Sequence, residues 1–335
     1  MNHEKIEKWF YSEIADPEKT VVHFLLYCLS LCYRAAIFLR NTLFDLRLIP
    51  IYHSKKKVVS VGNITCGGTG KTSFTELLAK KVGRPVAILE RGYRAKKKKR
   101  GPFLVSSPDE GDEAFLIAKK IDFAKVIVGK KRVRSALMGE KMNVDYILLD
   151  DGMQHRYLYR DLEIVVVHYQ DLFGGDAFLP RGLLRESPKR LKKANYIVIN
   201  GVRTENEFLD ATKQLQNYTK APLIGVAYEV LNREELQNKK VGAFCGIGKP
   251  NEFYSLLHSI GCRIVENETL PDHSYFDGID SFQRKAMRNG AETIVCTEKD
   301  YVKLDGRKGV VPLSVELVVR FGHSHFLTLI DQIKN

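Results

Sequence analysis

Cysteine is scarce and scattered. The six residues, Cys28, Cys32, Cys66, Cys245, Cys262 and Cys296, form no CxxC pair, which excludes a disulfide framework and points to a reducing compartment, the cytoplasm. Histidine offers no metal cluster: His323 and His325 form an isolated HxH with no further Cys or His close by, and read as surface or packing residues. A signal peptide is missing, because Asn, His and Glu follow the first Met where a basic n-region would lie. No uninterrupted apolar run reaches the roughly 20 residues that span a bilayer. There is no internal repeat and no long disordered tail.

What is present is a chain of 335 residues, 44% of them hydrophobic, enough for a large core and two domains. The formal net charge of +13 favours polyanions: nucleic acid, nucleotides or an anionic membrane surface. No RNA- or DNA-binding motif accompanies it, so nucleic acid is not an expected partner. Val21–Leu39 is mostly apolar, interrupted by His23 and Arg34. A helix there would be apolar nearly all round, so it must be buried or lie against lipid. Trp9, Phe10 and Tyr11 upstream, with Arg34, Arg40 and Arg47, suit an interfacial attachment. A helix packed on the core is the other reading, and the residues leave both open.

Short Val- and Ile-rich runs recur at Lys57–Gly62, Pro85–Leu89, Val126–Val128, Tyr146–Leu149, Ile164–Val167 and Tyr196–Ile199. Stretches of helical spacing, such as Ser73–Val82 and Asp112–Lys120, lie between them. This alternation predicts βαβ units and a parallel sheet covered on both faces. Around Ala227–Lys240 the chain turns polar, then restarts at Val241–Cys245. The expected fold is therefore an α/β, P-loop-like parallel-sheet domain with a domain boundary near residue 230 and a smaller second α/β domain.

The chemistry starts at Thr65-Cys66-Gly67-Gly68-Thr69-Gly70-Lys71-Thr72, between a predicted strand and a predicted helix. It follows the P-loop pattern GxxxxGK[ST], except that Thr65 stands at the first glycine. The glycines let backbone N–H groups aim at phosphate oxygens, and the helix adds its positive end. Lys71 would reach the β- and γ-phosphates of ATP, and Thr72 would hold Mg²⁺. The strand Tyr146–Leu149 ends in Asp150 and Asp151, the place for a Walker B-type acid. Gln154 and His155 follow, within reach of metal-bound water, phosphate or substrate.

Taken together, VGNITCGGTGKT and LLDDGMQHRYLYRDLEIVVV resemble the tetraacyldisaccharide 4′-kinases, the lipid A 4′-kinases of Gram-negative bacteria. Further segments agree in order: Glu90–Arg94, Gly111–Glu113, Leu179–Glu186, Phe244–Pro250, Leu270–His273 and Thr297–Asp300. Thr65 in the phosphate loop is usual in that family, whereas Arg94 and Arg181-Gly182-Leu183 depart from its common pattern. The resemblance implies transfer of the γ-phosphate of ATP to the 4′-hydroxyl of a tetraacylated glucosamine disaccharide 1-phosphate, by a peripheral enzyme at the cytoplasmic face of the inner membrane. It needs no obligate protein partner. It implies that residues 1–50 are a membrane-associating segment, 51–229 the kinase domain and 230–335 a smaller domain closing over the cleft. Asp112 matches the family's proposed general base and His273 its partner. Asp150, Asp151, Gln154 and Glu186 are assigned with Thr72 to Mg²⁺ and its hydration shell. Arg185 and Arg132 would neutralise phosphate charge, and Arg91, Arg132 and His155 would face substrate. The basic run Lys96–Arg100 is either a solvated loop or an attraction for anionic lipid. The alternative function is a P-loop ATPase or GTPase switch acting on a protein partner. Such a GTPase would carry an NKxD-type segment, for which Thr297–Asp300 (TEKD) in the second domain is only a loose echo.

Overall fold

A computed structural model describes residues 20–92, 100–271, 274–304 and 307–335. Trp9–Tyr11, His273 and all of Lys96–Arg100 except Arg100 lie outside the described residues. The chain divides into a larger unit, running to Ala227 and taking in Leu317–Asn335, and a smaller one, Tyr228–Glu316. Residues 317–335, expected in the C-terminal domain, are thus part of the larger unit.

The larger unit begins with helix α1 (Thr20–Asp45) and continues β1 (Lys57–Gly62), α2 (Lys71–Val82), β2 (Val86–Glu90), β3 (Phe103–Leu104), α3 (Asp112–Lys120), β4 (Ala124–Val128), α4 (Arg132–Glu140), β5 (Tyr146–Asp150), β6 (Leu162–His168), β7 (Tyr196–Asn200), α5 (Glu205–Leu215) and β8 (Leu223–Val230). The smaller unit holds α6 (Arg233–Leu236), β9 (Lys240–Cys245), α7 (Pro250–Ser259), β10 (Arg263–Thr269), α8 (Ile279–Arg288), β11 (Thr293–Thr297), α9 (Glu298–Tyr301) and β12 (Val310–Leu313). Strand β13 (Val315–Phe321) and α10 (His323–Lys334) lead back to the larger unit.

Nine strands form one sheet in the order β13-β8-β7-β6-β1-β5-β2-β4-β3. The pairs from β8 through β4 are parallel, and β3 runs antiparallel to β4. Parallel strands with helices between them are buried on both faces, and β2, β5 and β7 are buried along their whole length. Each Val, Leu or Ile so buried contributes roughly 1.5–3 kcal/mol. The consequence for chemistry is positional. Parallel strands end on one edge, so Gly62, Glu90, Asp150 and Asn200 all finish there. Strand β1 lies between β5 and β6, and its outgoing chain crosses to β2 while that of β5 crosses to β6. That reversal opens the crevice where α/β sheets bind ligands.

The smaller unit is a four-stranded sheet, β10-β9-β11-β12, with parallel pairing throughout. The TEKD segment is structural there. The Thr297 side chain caps α9 by accepting from Asp300 N, and buried Asp300 accepts from Gly246 N at 2.8 Å and faces Lys303 at 3.3 Å. Helix α10 packs Phe326 against Phe74 of α2, and in its HxH the His325 Nδ1 lies 3.0 Å from the Leu223 carbonyl.

Helix α1 resolves the alternative left open above. Only 6% of its apolar window is buried in the protein, so it is not a core helix. Phe24, Leu31 and Phe38, seven residues apart, are exposed, with Leu25 and Leu39 beside them. Its C-terminal half is tied down by polar contacts instead. Arg156 donates to the Asn41 carbonyl at 2.9 Å and to Asp45 at 2.6 Å, Lys193 reaches Asp45 at 2.8 Å, and Phe44 meets Tyr157 edge-on.

Candidate active site

The segment between β1 and α2 is the phosphate loop. Gly67 and Gly70 take φ of +96° and +88°, in the left-handed region open to glycine, and Gly70 starts α2 with no side chain capping it. The uncapped N-terminus of a twelve-residue helix is a ready anion site. Behind the loop, Asn63 donates to Thr69 Oγ1 at 3.1 Å and Asn200 to the Thr69 carbonyl at 3.1 Å. Gly62 lets β1 pass close to the turn after β5, where a Cβ would stand 2.5 Å from Met153 Cβ.

The two carboxylates after β5 go to different partners. Asp150 accepts from Thr72 Oγ1 at 2.9 Å and from Thr75 Oγ1 at 3.2 Å, the contact expected between a P-loop hydroxyl and a Walker B-type acid. Asp151 has a φ of +50°, a sharp turn that swings its side chain away from Asp150. It pairs with Arg185 at 2.9 and 3.3 Å and with Lys71 at 3.7 Å. Burial opposes its charge, but Lys71 and Arg185 hold its carboxyl down at about 2.

Two further acids complete the cluster. Buried Glu90, at the end of β2, lies against Asp150, and Glu113 accepts from Thr72 Oγ1 at 3.4 Å. Burial, then the charges of Asp150 and Glu113, push the Glu90 carboxyl well up, and burial also raises Asp150. The hydrogen bond between them pushes Glu90 further up and Asp150 down, so a proton they share favours Glu90. Crowded acids with one buried oxygen, Glu90 Oε1, lacking a partner suit a divalent cation, which would relieve their repulsion. Among the described residues no set of three His, Cys, Asp or Glu forms a ready-made cage.

The other expected residues divide. Cys66 N donates to the Leu183 carbonyl at 2.7 Å, and Thr65 bridges Leu184, so the Leu179–Glu186 segment braces the phosphate loop. Arg132 is buried, donating to the Gly129 carbonyl at 2.7 Å and the Asp150 carbonyl at 3.1 Å. Gln154 Nε2 donates to the Asn63 carbonyl at 2.9 Å, which leaves its buried Oε1 unpartnered. Burial, and then Arg132, Arg160 and Arg91, lower His155 to about 4, so its imidazole is neutral at pH 7. Arg91 is exposed, and Asp112 opens α3 with Oδ1 accepting from Glu113 N at 2.9 Å. Glu186 is placed elsewhere: both carboxylate oxygens face α1, paired with Arg40 and accepting from Asn41 at 2.7 Å. Sequence reasoning gave no role to Glu90, Glu113, Asn63, Thr75 or Asn200. Glu90 did carry a signal, since like Asp150 it ends an apolar strand.

The chain is similar to known proteins over most of its length. The family model described as tetraacyldisaccharide-1-P 4′-kinase matches residues 22–334. A Chlamydia abortus protein named tetraacyldisaccharide 4′-kinase is 38% identical over 310 residues, 82% of this chain and 82% of its own. One of the same name from Syntrophus aciditrophicus is 35% identical, with 93% of each chain covered. Among solved structures, LpxK from Aquifex aeolicus in complex with ATP matches with a TM-score of 0.74 and 30% identity, covering 94% of this chain and all of that one.

Proposed function

The chain belongs to the tetraacyldisaccharide-1-P 4′-kinase family, and from that premise we propose that it moves the γ-phosphate of ATP to the 4′-hydroxyl of a tetraacylated glucosamine disaccharide 1-phosphate in lipid A biosynthesis. The observation that carries the reading is the phosphate loop closed against Asp150 by Thr72 at 2.9 Å. The loop N–H groups and the α2 N-terminus bind the phosphates. Lys71 and Arg185, paired with Asp151 in this structure, exchange that partner for phosphate oxygens. Thr72 and Asp150 would hold Mg²⁺, which when bound neutralises phosphate charge. Asp112, with His273 as its partner, takes the proton of the sugar hydroxyl, a poor nucleophile until it is removed. Arg132 holds the end of β5 and adds positive charge behind Asp150.

The acyl substrate lies in a membrane, and α1 offers an exposed apolar face, with exposed Arg34 on the helix and exposed Arg47 just beyond its end. We read it as a peripheral anchor on the cytoplasmic face of the inner membrane, the side where ATP is available. The test is direct. Purified protein given γ-labelled ATP and the tetraacyl disaccharide 1-phosphate should yield labelled lipid, and Lys71→Ala should yield none. ATP hydrolysis that is strong and indifferent to the lipid would point to a nucleotide switch instead.

A further inference from the structure

We propose that Asn200 reads the nucleobase, accepting a hydrogen bond from the exocyclic amine of adenine and so selecting ATP over GTP. The inference rests on the reading that the phosphate loop binds a nucleoside triphosphate. Asn200 ends β7, two strands from β1 across β6, which places its Cα about 10 Å along the sheet edge from that of Gly62 at strand spacings near 4.8 Å. It is 2% exposed. Its backbone groups are spent: its carbonyl accepts from Tyr169 N at 2.9 Å, and its strand pairs in register with β6 and β8.

The side chain is half spent. Nδ2 donates to the Thr69 carbonyl at 3.1 Å, and a carbonyl can only accept, so the amide orientation is settled. Oδ1 is left buried with no partner. A buried acceptor without a donor is costly, and in native proteins it calls for an occupant. That occupant must bring an N–H or O–H.

The direction of a bound nucleotide follows from the charges. Thr72, Asp150, Glu90 and Glu113 gather on the β5–β2 side of β1, where the cation and the transferred phosphate belong. The α-phosphate, ribose and base must then leave over the opposite side, above β6 and β7, where Asn200 lies. Gln154 Oε1 is also buried and unpartnered, but Gln154 follows β5, which lies on the other side of β1 from β6 and β7. At position 6 adenine presents an amine, a donor, whereas guanine presents O6, an acceptor that would face Oδ1 unfavourably.

The test measures equilibrium binding of ATP, GTP and purine riboside 5′-triphosphate, which lacks the 6-amine, to the full-length protein in detergent. Wild type should bind ATP about tenfold more tightly than the analogue, the factor for one hydrogen bond to a buried acceptor. Asn200→Ala should bring that ratio to about one. Asn200→Asp keeps an acceptor but loses the donor to Thr69, so it should weaken all three ligands and preserve the preference for ATP. A residue that merely braced the loop would weaken all three equally in both variants and leave the ratio untouched. Equal binding of ATP and the analogue by wild type overturns this proposal alone, as does a ratio that survives in Asn200→Ala. Wild-type protein that binds none of the three overturns the nucleotide reading as well.

Discussion

The pair between Arg40 of α1 and Glu186 offers a sharp test of how the apolar helix is fastened to the site. Its two members are unequally buried: the Arg40 side chain is 32% exposed and that of Glu186 2%. Removing the arginine strands a buried carboxylate with Asn41, at 2.7 Å, as its remaining side-chain donor. Breaking a buried pair from that side costs about 3 kcal/mol. Glu186→Gln instead releases a guanidinium that can turn to water, while the amide oxygen still accepts from Asn41, so about 1 kcal/mol is lost. Arg40→Met should therefore destabilise more than Glu186→Gln. The double variant should sit near the milder single one, with a coupling of about 3 kcal/mol. Urea unfolding of the detergent-solubilised protein, followed by far-ultraviolet circular dichroism, measures all three. The same variants separate two roles for Glu186. If it fastens the helix, neither single variant changes the Mg²⁺ concentration for half-maximal activity. Glu186→Gln costing more than Arg40→Met, or shifting the Mg²⁺ requirement by itself, would refute this assignment and return Glu186 to the cation.

Three further outcomes follow from the site. Asp151, ordinarily near 3.8 and here held at about 2, contributes about 2 kcal/mol that is fully present above pH 4 and lost as pH falls towards 2. Asp151→Asn should flatten that acid limb in a pH series of urea midpoints. Glu90 is raised, so the folded state keeps a proton that the unfolded chain releases, and stability declines as pH rises above 4.5 through the raised value. Glu90→Gln, which keeps a donor towards Asp150, should be more stable than wild type at pH 8, with the gap closing towards pH 4.5. An unchanged gap would mean that the two carboxyls do not share a proton. Gly62→Ala puts a Cβ 2.5 Å from Met153 Cβ and 2.8 Å from Met153 N. It should cost about 2 kcal/mol in urea unfolding and lower kcat by disturbing the turn that carries Asp150 and Asp151.

Local order alone made the phosphate loop readable, because its glycines, lysine and threonine are contiguous and their spacing is the function. The apolar strands were legible for the same reason, as were Asp150 and Asp151 at the end of one. Family resemblance added Asp112 and His273, which no spacing rule would have joined. Other features depended on which strands became neighbours. Glu90 faces Asp150 because β2 pairs with β5, 60 residues apart in sequence, and pairing order is set by crossover topology and not by either strand's composition. Asn200 reaches Thr69 across 131 residues for that reason. Glu186 reads as one more acid beside the phosphate loop, yet the tertiary structure turned it to Arg40 and Asn41 of a helix 145 residues away. The amino-acid sequence by itself determined the phosphate loop, the parallel sheet and the apolar helix, since each rests on near-neighbour patterns. Only the tertiary structure decided which buried charges share a partner, because that depends on distances through space between chain segments whose order in the sheet the sequence does not state.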